Sequence, residues 1–516
     1  MKLIAIYISL FTIALAITII FVFPKWIVDD AFISFRYASN LVNHSSLTWN
    51  VGEAPVEGYT GLVLPVFSAL VILFNLSPVN ATHILGILSF LFGIIILFKL
   101  LSKLNFTPIC TTLVMIFYCT MPALYTHCWS GLETLLFSSS CLACIYFSIV
   151  LLQSKKRQIK YNTILLMFFL FVSLIRPEGV VLSVLLSAVL FFLMFRENRR
   201  DGSIFFRSWI FVYLIPGLIY FIWRWSYYGD ILPNTFYAKQ YDGLFSSESF
   251  NFMLDFLIKF IAFPCALAVM LFAITRSSGI KLRELFKSDS IFFWIYWASL
   301  IFLLIVTAQY LHSNLLMNYS FRFFIPYFPL LLIGLFYLID RYFNIIFGLR
   351  KQQPAIFWIG VIVILAATCS QLWINYRGMA TEIRYANRYK NLLESEHIPI
   401  GKMLNKIIPA NEWLIVDADA GAIPYYSQLK TIDCFKLNDR YLAREMPTDK
   451  KLVDYYYSFN PGVIVITSFD WDTVKHYTDA KLITGDPRFR NYSLYSKFRG
   501  SYWKYYEFVY LRNDLL

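Results

Sequence analysis

The sequence predicts a polytopic α-helical membrane protein with an odd number of spans, about 11 to 13, followed by a C-terminal extracytoplasmic α/β domain. Two observations predict this class. Of the 516 residues, 58% are hydrophobic and 15% are charged. Nearly uncharged runs of about 17 to 24 residues also recur, and runs of that length satisfy their backbone in lipid as helices.

Twelve stretches are candidate spans. They are residues 3–23, 60–76, 82–101, 109–126, 132–152, 161–175, 179–195, 206–223, 256–275, 291–308, 323–340 and 354–372. No small-residue cleavage site follows the first stretch before Pro24, which favours an uncleaved anchor over a signal peptide. A cytoplasmic N-terminus and an external C-terminus require an odd count, so we expect a re-entrant or split segment between residues 60 and 126.

The formal net charge of +13 reflects membrane topology rather than nucleic-acid binding. Lys and Arg cluster in the short connectors at residues 155–160, 196–200, 276–283 and 341–351. The positive-inside rule places these connectors in the cytoplasm. The loops at 24–59, 127–131, 224–250 and 309–322 then lie on the other side. The sequence therefore predicts a multi-pass protein of the inner (cytoplasmic) membrane, with its C-terminal domain periplasmic or otherwise extracytoplasmic.

A change of composition near residue 375 divides the chain into a transmembrane domain (1–375, including the first external loop 24–59) and a soluble domain (376–516). Polar residues become frequent after this point, and short β-like runs appear with helical patterns between some of them. The predicted strands lie at 413–421, 430–435, 462–468 and 501–511. The alternation of strands and helices predicts a small α/β domain.

Two adjacent carboxylates, Asp29 and Asp30, follow the first span directly. A carboxylate at the membrane interface can act as a general base toward an acceptor hydroxyl, with its pKa set by a neighbouring acid or cation. The same pair could instead lie in the first turn of a helix and stabilise its N-terminus. The residues of the pair alone leave both interpretations open.

Several blocks of the sequence, in order along most of the chain, carry a resemblance to a known family. They are DDAFISFRYASNL (29–41), GEAPVEGYTG (52–61), SGLETLLF (130–137), RPEG (176–179), YYGDILPNTFYAK (227–239), RFFIPYFP (322–329), DADAGAIPYYS (417–427) and DCFKLND (433–439). With these blocks the chain resembles the membrane-embedded GT-C glycosyltransferases that use polyprenyl-phosphate sugars. Within that superfamily it is similar to the mycobacterial terminal arabinofuranosyltransferase branch.

This resemblance implies a GT-C fold and an inverting glycosyltransferase. The enzyme would move a sugar from an undecaprenyl- or decaprenyl-phosphate donor to a glycan, lipid or protein of the cell envelope, such as lipopolysaccharide. The family's acidic loop motif implies Asp29 as general base, with Asp30 as its supporting partner. The departing phosphate needs mainly cationic stabilisation, for which Arg322, Lys239 and Arg176 are the candidates. These three residues could equally be an interfacial anchor, a solvated charge and a helix-end cation.

Further candidates lie around these residues. The residues predicted to contact substrate are Arg36, Glu57, Tyr59, Glu133, Glu178, Asn234, Asp417, Asp419 and Asn438. Caps and turns explain several of them equally well. No cofactor is required by a motif, and a divalent cation near Asp29 and Asp30 is the one candidate, with its ligands unknown. Cys434 and Lys436 interrupt the last block, so the acceptor is not carried over from arabinan synthesis.

Two other classes of function compete with the transferase. A lipid-linked glycan flippase or transporter should carry polar residues near the midplane of its spans and show repeat symmetry. Most spans here are devoid of charge. An O-antigen ligase or polymerase is expected to use Arg and His in a large late external loop, whereas here the acidic first loop dominates.

Overall fold

The computed structural model describes residues 2–154, 159–241, 243, 245–277, 290–315, 317–348, 353–474, 478–500 and 504–516. Its α-helices lie at Lys2–Val22, Asp29–His44, Val63–Leu73, Pro78–Lys103, Pro108–Cys119, Pro122–Trp129, Thr134–Gln153, Ile159–Ile175, Glu178–Glu197, Arg199–Trp209, Ile215–Tyr228, Asn234–Ala238, Ser247–Phe260, Ala262–Ser277, Ser290–Leu311, Phe328–Gly348, Pro354–Leu392, Ile398–Ile407, Ala422–Ser427, Arg440–Glu445, Asp449–Ser458 and Thr478–Gly485. Short π-helical segments lie at Ile210–Leu214 and Leu393–His397.

Seven of the described helices are long and apolar enough to cross a membrane, and up to nine if each of two bent pairs forms one span. The helices Pro108–Cys119 and Pro122–Trp129 are bent by 51°. Ser247–Phe260 and Ala262–Ala273 are bent by 59°. The polytopic helical class is thereby confirmed, although the predicted number of spans is reached only if shorter helices also cross.

Two irregular features fall in the region between residues 60 and 126 where one was expected: the bent pair that begins at Pro108, and the short helix Val63–Leu73. Val63–Leu73 has 11 residues, which at 1.5 Å per residue gives about 16 Å, against a hydrocarbon thickness of about 30 Å. The predicted span at 60–76 is therefore too short to cross. Its removal from the twelve candidates leaves an odd count.

The first external loop folds mainly as the helix Asp29–His44, whose inner face is buried. Phe32 packs against Tyr425 and Tyr426, with ring centroids 5.5 and 5.6 Å apart. Asp29 and Asp30 occupy the first turn, where the helix dipole favours negative charge. The helix thus lies between the membrane helices and the C-terminal domain.

The loop 24–59 and the C-terminal domain lie on the same side of the helical domain, as the sequence predicts. Arg36 Nη1 donates to the carbonyl of Pro424 at 2.6 Å, and Trp49 Nε1 donates to the carbonyl of Thr431 at 3.0 Å. The assignment of this side as the extracytoplasmic one stays a prediction. The basic connectors that support it fall largely at 155–158, 278–289 and 349–352, outside the described residues.

The last predicted span is the start of a much longer helix. Pro354–Leu392 continues through the π-helical segment into Ile398–Ile407. After residue 372 it carries Arg377, Glu382, Arg384 and Arg388, and charges at this density do not lie in hydrocarbon. The helix runs unbroken through residue 375, so the predicted domain boundary stays a prediction.

A five-stranded mixed sheet forms the core of the C-terminal domain. The strands are β1 (Trp413–Val416), β2 (Lys430–Asp433), β3 (Val463–Ser468), β4 (Tyr492–Arg499) and β5 (Tyr506–Arg512), in the order β2-β1-β3-β5-β4. β1 pairs in parallel with β2 and β3, and β5 is antiparallel to β3 and β4. The first three predicted strands are confirmed, and β5 begins at Tyr506 rather than at residue 501. The edge strand β4 is partly exposed, and its lack of an alternating apolar pattern explains why the sequence did not predict it.

Candidate functional site

The helix Asp29–His44 of the first external loop is here called the loop helix. Its first turn presents two carboxylates to two different environments. Successive helical residues are rotated by about 100°, so Asp29 and Asp30 diverge. The backbone N–H of Val28 donates to the carbonyl of Ser130 at 3.1 Å, which fixes the start of this helix on the membrane domain. The side chain of Asp29 is 4% exposed and that of Asp30 is 19% exposed.

Asp29 contacts the C-terminal domain through backbone donors. Its Oδ2 accepts from the N–H of Gly421 at 2.7 Å, and its Oδ1 accepts from the N–H of Ala422 at 2.8 Å. Its own N–H donates to the hydroxyl of Tyr389 at 3.3 Å. A Cβ on Gly421 would collide with the backbone and carboxylate of Asp29. This close approach explains the glycine of the DADAG segment.

His397 lies buried at the centre of a group of acids, in the π-helical segment Leu393–His397 of the long helix and outside its apolar stretch. Its Nδ1 is 3.3 Å from Asp29 Oδ1, and its Nε2 is 3.6 Å from Asp419 Oδ2 and 3.8 Å from Glu507 Oε1. Burial alone would lower the pKa of His397, but Asp419, Asp29 and Glu507 raise it to about 10. His397 is therefore protonated at neutral pH and partly neutralises this group.

Asp30 borders a small cavity of about 40 Å³, here called the basic cavity, which is also lined by Tyr59, Glu133, Lys239 and Arg322. Arg322 Nη1 donates to Asp30 Oδ2 at 2.9 Å. Burial, followed by the charge of Arg322, lowers the pKa of Lys239 to about 8. One water molecule needs about 10–15 Å³ on this measure, so the basic cavity holds a group of a few atoms and not a sugar ring.

A second cavity of about 350 Å³, here called the acidic cavity, is lined by both aspartates and shares Asp30, Ile33 and Leu437 with the basic cavity. Its polar lining is Asp29, Asp30, Tyr385, Tyr389, Asp419, Asp433 and Tyr505. Burial raises the pKa of Asp433 to about 7, against hydrogen bonds from Asn438 and Phe435 that lower it. Asp30 lines both cavities, so Asp29 and Asp30, here called the acidic pair, lie at the junction of the two cavities.

Arg176 lies behind the basic cavity and lines neither cavity among the residues that the structure describes. Its Nε donates to Glu133 Oε1 at 2.9 Å, and both side chains are buried. Glu178 accepts from the hydroxyl of Tyr310 at 2.6 Å rather than pairing with Arg176. The structure thus brings Glu133 to the cavity and leaves Arg176 and Glu178 in the layer behind it.

Arg36 and Asn234 join the external loops to the C-terminal domain. Besides Pro424, Arg36 donates to the carbonyls of Trp49 and Leu429 and to Asn50 Oδ1. Asn234 Nδ2 donates to three carbonyls, those of Lys436, Leu437 and Asp439. Both residues satisfy buried backbone groups, which accounts for their placement without a substrate contact.

Glu57 and Tyr59 differ in their position relative to the basic cavity. Glu57 Oε2 pairs with Arg224 Nη2 at 2.5 Å, and both side chains are buried away from the acidic pair. The hydroxyl of Tyr59 lies 2.9 Å from that of Tyr228. Tyr59 lines the basic cavity, whereas Glu57 stabilises the loop beside it.

The predicted acceptor-binding residues of the C-terminal domain lie in three different places. Asp419 lines the acidic cavity and accepts a hydrogen bond from the hydroxyl of Tyr505. Asp417 is buried at the end of β1. Asn438 Nδ2 donates to Asp433 Oδ2 at 3.0 Å and faces a different cavity, on the far side of the 433–439 turn.

Asp29, His397 and Asp419 are the residues that could hold the predicted divalent cation, since their ligand atoms lie within 4.8 Å of one another. Oxygen and imidazole donors suit several divalent metals. A cation at this position would replace the proton on His397. Asp30 is instead paired with Arg322.

Three residues near Asp29 and Asp30 could not be predicted from any motif. His397 and Tyr389 lie in a helical stretch with no motif, and Tyr505 lies just before β5. They reach the site because the long helix and the sheet fold back onto the loop helix. A pattern within a single segment cannot predict such contacts.

Comparisons with known proteins place this geometry in a fold. A family model described as a domain of unknown function (DUF8728) matches residues 381–509. A comparison with curated protein sequences found no match. The chain is similar to apo ArnT from Cupriavidus metallidurans, at 12% identity and a TM-score of 0.56, with 98% of each chain covered.

Two further solved structures are similar. ArnT from the same organism bound to undecaprenyl phosphate matches at 11% identity and a TM-score of 0.57, with 98% of each chain covered. The archaeal oligosaccharyltransferase AglB from Archaeoglobus fulgidus, in complex with an inhibitory peptide and a dolichol-phosphate, matches at 12% identity and a TM-score of 0.53. That match covers 96% of this chain and 74% of AglB. The chain therefore has the GT-C fold, as predicted, while the arabinofuranosyltransferase-like branch stays a prediction.

The contact between Gly421 and Asp29 yields a first test. Gly421→Ala should force the two segments apart and lower the thermal unfolding midpoint of the full chain in nanodiscs, since overpacking typically costs about 1–3 kcal/mol. Gly485→Ala is the matched control, because its Cβ would meet no described atom within 4 Å. Equal midpoints for the two variants would show that Asp29 is not tightly packed on Gly421.

Proposed function

We propose that the protein is an inverting glycosyltransferase that moves a sugar from a polyprenyl-phosphate donor to an extracytoplasmic glycan, lipid or protein. One observation carries this proposal: the acidic pair stands between a small cavity with two cations and a larger polar cavity. The GT-C fold supports it, because structures with this fold bind undecaprenyl phosphate and dolichol-phosphate.

The basic cavity is the proposed site of the donor phosphate. Its volume suits a phosphate group, and the guanidinium of Arg322 can donate to two phosphate oxygens at once. Lys239 supplies a second cation on the same cavity. A bound phosphate would compete with Asp30 for Arg322, so donor binding would weaken the ion pair between Arg322 and Asp30.

The acidic cavity is the proposed site of the sugar and the acceptor hydroxyl. Its volume of about 350 Å³ lies within the range typical of small-molecule sites. Tyr385, Asp419 and Asp433 supply polar groups for hydroxyls, and the aromatic rings supply flat apolar surface. This lining is compatible with glycan acceptors and does not by itself select among a glycan, a lipid and a protein.

Asp29 is the proposed general base because it lines the acidic cavity, where the acceptor hydroxyl is proposed to bind. An inverting displacement places the base and the leaving group on opposite faces of the sugar. Within the described part of the chain, Asp29 lines the acidic cavity and not the basic one. A carboxylate offers about four lone-pair positions, so the bonds from Gly421 and Ala422 orient Asp29 and still leave it able to accept a proton.

The reaction then proceeds in one step. Asp29 removes the proton of the acceptor hydroxyl, and the acceptor oxygen attacks the anomeric carbon. The bond from that carbon to the phosphate oxygen breaks, and polyprenyl phosphate leaves with the bonding electrons. Arg322 and Lys239 stabilise the released charge. Asp30, which lines both cavities and is less buried, is the second candidate for the base.

Exchange of each aspartate for asparagine tests these roles. Asp29→Asn should lower the rate of sugar transfer by about two to four orders of magnitude, because the amide cannot accept a proton. Asp30→Asn should lower it less. The rate is measured as loss of lipid-phosphate sugar in nanodiscs, supplied with the total lipid-linked sugars of the source organism as donor and with its cell-envelope glycans as acceptor. Asp454→Asn, at a carboxylate that is 48% exposed in the C-terminal domain, is the matched control.

The order of the two variants decides the assignment. A larger loss for Asp30→Asn than for Asp29→Asn would make Asp30 the base. Near-normal turnover in both variants would contradict the enzyme mechanism and return the pair to the role of stabilising the helix terminus.

A pH titration tests the phosphate site through Lys239. Undecaprenyl phosphate remains a dianion above its second pKa of about 6, so only the protein changes its charge between pH 7 and 9.5. As pH rises through about 8, Lys239 loses its proton and the dissociation constant should rise about tenfold, the typical effect of one charge-assisted hydrogen bond. Lys239→Arg should bind equally across this range because its guanidinium keeps its charge. Constant affinity of the unmodified chain would exclude Lys239 from the phosphate site.

A further inference from the structure

A third cavity, of about 730 Å³, lies between the first external loop and the C-terminal domain. We call it the interdomain cavity. Trp49, Asn50 and Glu53 border it from the loop. Within the described ranges it shares no lining residue with the basic or acidic cavity. Its volume is within the range of about 300–1,000 Å³ that is typical of ligand sites.

One side of the interdomain cavity carries four aromatic rings in sequence, here called the aromatic wall: Trp413, Phe459, Tyr455 and Tyr441. Ring centroids are 4.6 Å apart for Trp413 and Phe459, 5.1 Å for Phe459 and Tyr455, and 4.5 Å for Tyr455 and Tyr441. Tyr441 is 38% exposed. Neighbouring rings are tilted to one another by 53°, 83° and 30°, so the wall is a row of separately oriented rings rather than one flat surface, and it is partly accessible from the cavity.

The charged groups of the interdomain cavity are largely paired within the protein. Arg440 and Arg444 both contact Asp230, at 3.2 and 2.5 Å. Glu53 Oε1 pairs with Lys430 Nζ at 2.6 Å. Asp439 accepts from the hydroxyl of Tyr455 at 2.8 Å and caps the helix that begins at Arg440. A ligand with a strong net charge would have to break these pairs.

We propose that the interdomain cavity binds a neutral oligosaccharide. The C–H faces of sugar rings pack on flat aromatic surfaces, and sugar hydroxyls exchange hydrogen bonds with charged groups that are already paired. A row of four rings suits several successive sugar units rather than a single one. Binding at this site does not depend on the transferase proposal.

The role of this site does rest on the proposed function. The 433–439 turn separates the interdomain cavity from the acidic cavity, with Asp433 on one side and Asn438 on the other. A glycan held on the aromatic wall would therefore lie one turn away from the proposed site of transfer. The cavity would bind the distal part of a glycan acceptor.

Binding is tested with the full chain in nanodiscs and without donor. The probe is the total neutral oligosaccharide fraction released from the cell envelope of the source organism, and the charged fraction is the second probe. Tyr441→Ala should weaken binding of the neutral fraction about three- to tenfold, which corresponds to the free energy that an aromatic contact usually contributes. Tyr495→Ala, at a 45% exposed tyrosine on β4, is the matched control and should bind like the unmodified chain.

Three results would overturn this proposal: no binding of the neutral fraction, binding of the charged fraction alone, or equal affinity of Tyr441→Ala and the unmodified chain. The Lys239→Ala variant separates this test from the test of transfer, because Lys239 lines the basic cavity and, among the described residues, not the interdomain cavity. It should retain the affinity for the neutral fraction even though transfer is weakened. Transfer could fail while binding persists, and the interdomain site would then stand without the enzyme mechanism.

Discussion

The carboxylate of Asp29 accepts hydrogen bonds from the backbone of Gly421 and Ala422, and this contact joins the membrane domain to the C-terminal domain at the site itself. Because a buried carboxylate is costly unless it is hydrogen-bonded and compensated, the two backbone donors and His397 are needed to hold it there. Their geometry fixes the loop helix. Once this helix is fixed, Asp30 faces Arg322 on one side and the acidic cavity on the other.

The rest of the interface satisfies polar groups that this arrangement buries. Arg36 and Asn234 contribute donors to carbonyls of the C-terminal domain, which would otherwise be unsatisfied in the contact. Several residues that the sequence assigns to substrate are therefore explained by the joining of domains. Of the three cations that the sequence assigns to the donor phosphate, Arg322 and Lys239 line the basic cavity, and the proposed chemistry rests on these two.

The sequence predicted the helical membrane class and three strands of the sheet, because long apolar runs and strand patterns are local properties. The GT-C fold was predicted from the resemblance of the motif blocks to a known family. Local patterns also placed Asp29 and Asp30 together at the start of a helix. They could not predict that Arg176 would pair with Glu133, nor that His397 would reach Asp29 from 368 positions away. Such contacts depend on how distant segments pack. The partly exposed edge strand β4 carried too weak a pattern to be predicted.

The central claim is that the acidic pair separates a phosphate site from an acceptor site. An electron cryomicroscopy structure of the full chain in nanodiscs with undecaprenyl phosphate tests it most directly. We expect phosphate density within hydrogen-bond distance of Arg322 and Lys239, with the ion pair between Arg322 and Asp30 loosened. Phosphate density bound elsewhere, with that ion pair and the basic cavity unchanged, would contradict it.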